Sequence, residues 1–327
     1  RANITVRPLT VSAVTDTRVY NGNMSSVGVP TVTGLQVGDA PVDTLNGPLT
    51  QAYASKNVMG TLGSTLVATG PYTVTDGNGG NNYAITVNTA PGTITPATLV
   101  GSITAANKVY DGNDTATIVT RTLATPVAGD TVSYTGGTAL FSDKNVADGK
   151  TVTGTGLSLT GADAGNYTVN TTATTTANIT PAPLTIRAND NTKVYGQTFT
   201  PASTAFTVPV PPIAGETVAS VTETSPAGSP ATAAVPGPYA ITPSNAAANG
   251  AFLPSNYTIT YVDGALSVTP APLTIRANDA TKVFGETFTP ASTAFTTPVA
   301  PQNGETVGSA TITSPTGTPA TAAVPGP

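Results

Sequence analysis

The sequence predicts an all-β array of small domains, and three observations carry that prediction. The chain repeats itself: Ala182–Asp190 returns letter for letter as Ala271–Asp279, a shift of 89 residues. The shift holds without slippage to the last residues, where Pro230–Pro238 returns as Pro319–Pro327. A period of this size marks an array in which each period is one structural unit. The composition is that of strands and turns: Thr and Val favour strands, and 33 Gly and 29 Pro punctuate turns. Finally, no window sustains apolar residues at i, i+3, i+4 and i+7, so amphipathic helices are not expected. Units joined end to end through prolines, which fix φ and remove a donor, predict an elongated rod.

Taken in order, residues 1–7 read as the last strand of a preceding repeat, because Ala2-Asn3-Ile4-Thr5 resembles Ala177-Asn178-Ile179-Thr180. Residues 8–95 and 96–180 form the first two full repeats. They share Val19-Tyr20-Asn21-Gly22-Asn23 and Val109-Tyr110-Asp111-Gly112-Asn113. Residues 181–269 form a third, with Lys193-Val194-Tyr195-Gly196. Residues 270–327 open a fourth, with Lys282-Val283-Phe284-Gly285, that lacks counterparts of Tyr239–Thr269. Each full repeat closes on an Asn-Tyr pair followed by a strand-like run: Asn82-Tyr83, Asn166-Tyr167 and Asn256-Tyr257. Alternation predicts strands at 184–186, 151–154, 217–221 and 257–261. A short helix or helical turn is allowed near Pro201–Phe206, and Asp76–Asn82 reads as a hairpin loop. The expected core of the third repeat is Ile186, Val194, Phe199, Phe206, Val218, Ile241, Tyr257, Ile259 and Val268. A core of this size suffices for a domain of ~85–90 residues.

The chemistry open to the chain is narrow. With no Cys and no His there is no disulfide framework, no Cys/His zinc site, no Ser-His-Asp triad and no thiol nucleophile. A net charge of −5, with no cluster of Lys and Arg, argues against nucleic acid as a partner. No segment approaches the ~20 apolar residues of a membrane span. The Gly-rich run at 76–82 has no following basic residue to meet phosphate. No two acids recur at matching places in all repeats, so a glycosidase-like pair is not indicated, and no catalytic residue and no cofactor are expected.

Several residues admit two readings. Asp111 and Asp114 are candidate calcium ligands, or they belong to a β-turn in which Asp and Gly supply turn geometry. Asp130, Asp143, Asp148 and Asp163 are too dispersed for a calcium loop, and the Thr-Pro-Ala-Pro joints hold no acid. Tyr83, Tyr167, Tyr257 and Tyr261 are candidates for stacking on sugar rings, or they are core tyrosines that cap the sheet at a fixed register. Lys193 and Glu216 are a candidate isopeptide pair.

The second repeat resembles the YDG domain, through Lys108–Asn113, Phe141–Val146 and Leu159–Tyr167. The third resembles the MBG ("mostly β-grasp") repeat, through Leu184–Asp190, Lys193–Gly196 and Asn256–Tyr261. The first is a more divergent YDG-like copy, with Asn21 where that family has Asp. The resemblance implies β-grasp-like or sandwich-like units from large secreted bacterial adhesins of the filamentous-haemagglutinin-like, two-partner secretion type. It implies an extracellular place at the cell surface or in the biofilm matrix, and an outer-membrane transporter as export partner. It supplies no catalytic residue. Two functions follow as expectations: a non-catalytic stalk that extends an adhesive region, or repeats that bind exopolysaccharide or other copies of the same adhesin.

Overall fold

A computed structural model describes residues 3–38, 42–213 and 215–322. The chain is nearly all β and divides into two compact units. The first comprises Arg1–Val109 with Asn113–Thr180, the second Tyr110–Gly112 with Pro181–Pro327.

One pairing scheme recurs in the three full repeats. The opening strand pairs in parallel with the strand that begins at the Asn-Tyr pair. Arg7–Ser12 runs beside Tyr83–Asn88, Ala97–Leu99 beside Tyr167–Val169, and Ala182–Ala188 beside Tyr257–Val262. The register is the same each time, since Arg7, Ala97 and Ala182 stand opposite Tyr83, Tyr167 and Tyr257. The strand that ends on Val19, Val109 or Val194 pairs in parallel with the strand that closes the repeat. That places these valines across from Thr95, Thr180 and Thr269. Parallel pairing demands a long crossover; here it is filled by antiparallel strands such as Gly60–Thr69, Ala147–Thr160 and Tyr239–Ser244.

The cores are small and follow from strand alternation. Leu9 and Val11 are fully buried from one opening strand, and Leu184, Ile186 and Ala188 from another. Full burial of such a side chain is worth about 1.5–3 kcal/mol. Of the core expected for the third repeat, Ile186, Ile241, Tyr257 and Val268 are buried. Val194, Phe199, Phe206, Val218 and Ile259 are half-buried. Phe252 and Leu266, which sequence alternation did not single out, are fully buried.

Four local expectations are corrected. Pro201–Phe206 is not helical: the Ala205 amide closes a turn on the Ala202 carbonyl (2.9 Å), and Phe206 is drawn into a strand opposite Ala188. The short 3-10 turns lie instead at Ala164–Asn166, Pro254–Asn256 and Gln302–Gly304. The strand expected at 217–221 forms at Thr222–Thr224, where Tyr239–Ser244 offers a partner. Asp76–Asn82 is not a hairpin, because its flanking strands pair elsewhere: Thr73–Thr75 with Thr44–Asn46, and Tyr83–Asn88 with Arg7–Ser12. The Asp76 carboxylate organises this loop by accepting from the amides of Asn78, Gly80 and Asn82 at 2.7–3.1 Å. Finally, no strand forms among the described residues of 1–7 before Arg7.

In the fourth repeat the paired strands are Arg276–Ala277 and Phe295–Thr296. The end of the letter-for-letter repeat, 323–327, lies outside the described residues.

Candidate functional site

The feature that recurs is a tyrosine–carboxylate clasp joining successive repeats. Val19 ends a strand and Tyr20 leaves it, held by a backbone bond from its amide to the Thr95 carbonyl (2.9 Å). Gly22 then turns the chain with φ +78, a left-handed conformation that glycine adopts without steric cost. This projects the Tyr20 ring into the second repeat, where its hydroxyl donates to Asp130 Oδ2 at 2.7 Å. The Tyr167 hydroxyl donates to the same oxygen at 2.7 Å, and Lys56 Nζ to Oδ1 at 2.9 Å. The two rings meet edge to face, centroids 5.3 Å apart at 77°, an arrangement aromatic quadrupoles favour. The Val127 amide donates to the Tyr167 hydroxyl (2.9 Å), and the Asp130 amide closes a turn on the Val127 carbonyl (3.1 Å). Asn166 adds a second contact, accepting from the Val58 amide at 2.8 Å.

The same parts recur in the second unit. Tyr110 donates to Glu216 Oε1, and Tyr257 donates to Oε2 at 2.7 Å. The rings are again edge to face, 5.6 Å and 77°. Here the Ile213 amide serves the Tyr257 hydroxyl (3.1 Å). Tyr195 donates to Glu305 at 2.6 Å, and the Glu305 amide bonds the Gln302 carbonyl at 3.0 Å. The glycine of the turn packs on the residue three before the acid. A Cβ added to Gly22 would lie 2.5 Å from Val127, and one added to Gly112 2.5 Å from Ile213. A Cβ on Gly196 would meet Gln302.

Electrostatics suit a permanently ionised acid. Burial alone would raise Asp130, but bonds from Tyr20, Lys56 and Tyr167 outweigh it and hold its carboxyl below the usual range. Burial, followed by the bond to Asp130, raises Tyr20 and pushes Tyr167 up to about 12. Burial and the bond to Glu216 raise Tyr257 likewise. The phenols therefore remain donors and the carboxylates acceptors across any physiological pH.

The candidate residues read from sequence distribute as follows. Tyr83, Tyr167 and Tyr257 are buried, 7–8% exposed, with their hydroxyls on Asp43, Asp130 and Glu216. Rings so placed offer no face to a sugar, which corrects the stacking reading of these three. Tyr261 is half-buried and its hydroxyl accepts from the Ala246 amide at 2.8 Å. Asp111 is exposed and Asp114 half-buried, the latter's carbonyl accepting from the Phe141 amide. Among the described residues no three His, Cys, Asp or Glu side chains converge as metal ligands would. Lys193 and Glu216 do not meet: the Lys193 ammonium is spent on the carbonyls of Gln197, Ser229 and Pro230. Of the dispersed acids, Asp143 pairs with Lys150 at 2.7 Å and Asp163 accepts from the Thr131 amide at 2.9 Å.

Sequence reasoning missed Tyr20, Tyr110 and Tyr195 as functional groups, and Asp43, Asp130, Glu216 and Glu305 as their class of partner. A signal was there: tyrosine and acid stand 110, 106 and 110 residues apart in the three pairs.

Tandem β-repeats joined by a motif tyrosine define the class. The profile of the YDG domain matches residues 5–90 and 95–177, together more than half of the chain, and that of the MBG domain (YGX type) matches residues 184–267. The chain belongs to the YDG-domain family, with an MBG domain in tandem. A search of curated proteins finds no significant match.

Proposed function

We propose that this chain is a non-catalytic stalk segment of a large bacterial surface or biofilm-matrix adhesin, spacing an adhesive region from the cell. The observation that carries the reading is the clasp. The best-formed polar clusters of the repeats are consumed in joining one repeat to the next, through buried hydrogen bonds to a carboxylate, each worth about 1.5–3 kcal/mol. A spacer needs joints that resist bending, and this chemistry supplies them. Tandem YDG and MBG domains favour a place outside the cell, with export through an outer-membrane transporter. In this reading the chain takes no cofactor and turns over no substrate.

The test is a pulldown of matrix exopolysaccharide with this chain alone, alongside an assay of polysaccharide turnover. The stalk reading expects neither retention nor turnover. Saturable retention of polysaccharide would move adhesion into the repeats themselves. Turnover abolished by a single acid substitution would make the chain an enzyme.

A further inference from the structure

The first repeat carries half of a clasp. Tyr83 donates to Asp43, as Tyr167 does to Asp130 and Tyr257 to Glu216. The Gln36 amide serves the Tyr83 hydroxyl at 2.9 Å, the part played by Val127 and Ile213. Arg7 fixes this wall, donating from Nη1 to Gln36 Oε1 (2.8 Å) and from Nε to the Gly34 carbonyl (2.7 Å). Where Tyr20 and Tyr110 lie in the complete clasps, the first repeat has a cleft of about 300 Å³ bounded by Arg7, Gln36, Asp43, Asn82 and Tyr83.

A second observation points the same way. The shared register makes Ile4 the counterpart of Ile94 and Ile179, three residues ahead of Arg7, Ala97 and Ala182. Ile94 and Ile179 are 1% exposed, inside strands that close a repeat. Ile4 is 94% exposed. An apolar residue and an acid–tyrosine pair on one side of the same repeat are thus uncovered together, at the two places where a neighbouring repeat covers their counterparts.

We propose that this cleft is the acceptor for the tyrosine of a Tyr-x-Gly turn presented by a further repeat joined in line through Ile4–Val6. The incoming phenol donates to Asp43 and meets Tyr83 edge to face, its glycine lies against Gln36, and Ile4 enters that repeat's core. The occupant is a tyrosine-bearing repeat rather than a second copy of this chain, because the copy's own uncommitted turn carries Phe284, which is exposed and has no hydroxyl for Asp43. The inference stands whether or not the array is a surface stalk.

The chain has no cysteine, so a disulfide reports the joint cleanly. A Cβ on Gly22 would lie 3.6 Å from Val127 Cβ, within the ~3.5–4.5 Å of a disulfide. Gly22→Cys with Val127→Cys is therefore the positive control. The test is the full chain with residues 5–94 occurring twice in succession, carrying Gly22→Cys in the first copy and Gln36→Cys in the second. Closure is measured against a glutathione redox series. The expected result is an effective concentration like the control's, lowered about tenfold or more by Tyr20→Phe in the first copy, as for loss of a hydrogen bond to a carboxylate. A separate sample of the duplicated chain, with second-copy Gly22→Cys and Val127→Cys, reports that the adjoining joint has folded. If that pair closes and the test pair does not, the assignment is overturned. Closure indifferent to Tyr20→Phe removes the tyrosine from the proposal and overturns it as stated. A chain-to-chain disulfide in the single-copy chain bearing Gln36→Cys and Gly285→Cys makes a second copy the occupant and also overturns it.

Discussion

Tyr20→Phe tests the clasp with the least disturbance to packing. The ring, buried at the joint and edge-on to Tyr167, is kept. Only the 2.7 Å bond to Asp130 Oδ2 is lost. A hydrogen bond to an ionised group contributes about 1.5–3 kcal/mol. Because Tyr167 and Lys56 still serve Asp130, the loss belongs at the lower end, about 1.5 kcal/mol. Tyr20→Ala removes the ring as well. Truncating a buried aromatic costs about 3–5 kcal/mol, and the edge-to-face contact a further ~0.5–1.5 kcal/mol. Hydrogen exchange under native conditions is the suitable assay, because an array need not unfold in one step. Peptides covering Ala90–Thr95 and Tyr167–Val169 read the two sides of the joint. About 1.4 kcal/mol corresponds to a tenfold rise in exchange, so Tyr20→Phe is expected to speed both peptides about tenfold, and Tyr20→Ala much more. Peptides from the second unit, such as Gly264–Thr269, should not change. A Phe variant that exchanges like the parent, or one as damaging as the Ala variant, would refute the reasoning: the first removes the hydrogen bond as a contributor, the second shows that the hydroxyl carries the joint and the ring nothing.

Three further outcomes follow. The folded Tyr167 pKa of about 12 lies above its ordinary 10.0, so the protonated phenol's contribution is intact below pH 10 and is lost as pH rises from 10 toward 12; Tyr167→Phe should flatten that part of the stability profile. Asp130 has the opposite sign: its folded pKa is depressed, so its contribution is present above its ordinary 3.8 and fades as pH falls through the folded value, a fall that Asp130→Asn should remove in acid melting. Gly22→Ala and Gly285→Ala both place a side chain at positive φ, which costs about 1–2 kcal/mol, but only the former meets a wall, Val127 at 2.5 Å, whereas nothing lies within 4 Å of Gly285; thermal melting should show the larger loss for Gly22→Ala.

Much of the architecture was legible because it depends on local chemistry repeated along the chain. The letter-for-letter return of Ala182–Asp190, the Thr-Val alternation and the Gly and Pro punctuation are properties of neighbours in sequence, and they specify strands, turns and the number of repeats. The Asn-Tyr pairs were legible too, as the start of a strand whose tyrosine keeps one register. What became of those tyrosines was not. Whether Tyr83, Tyr167 and Tyr257 present a ring to solvent or a hydroxyl to an acid depends on residues 40, 37 and 41 positions away. Single acids among many threonines give no pattern, so Asp130 read as dispersed. Lys193 and Glu216 looked like a pair in one repeat, yet the fold turns the lysine onto backbone carbonyls and the glutamate onto two phenols. The sequence by itself determined an all-β tandem array, since periodicity and turn chemistry act over a few bonds. Only the tertiary structure decided that the motif tyrosine of one repeat reaches the acid of the next, because a hydrogen bond across more than a hundred residues exists only once both repeats have folded and met.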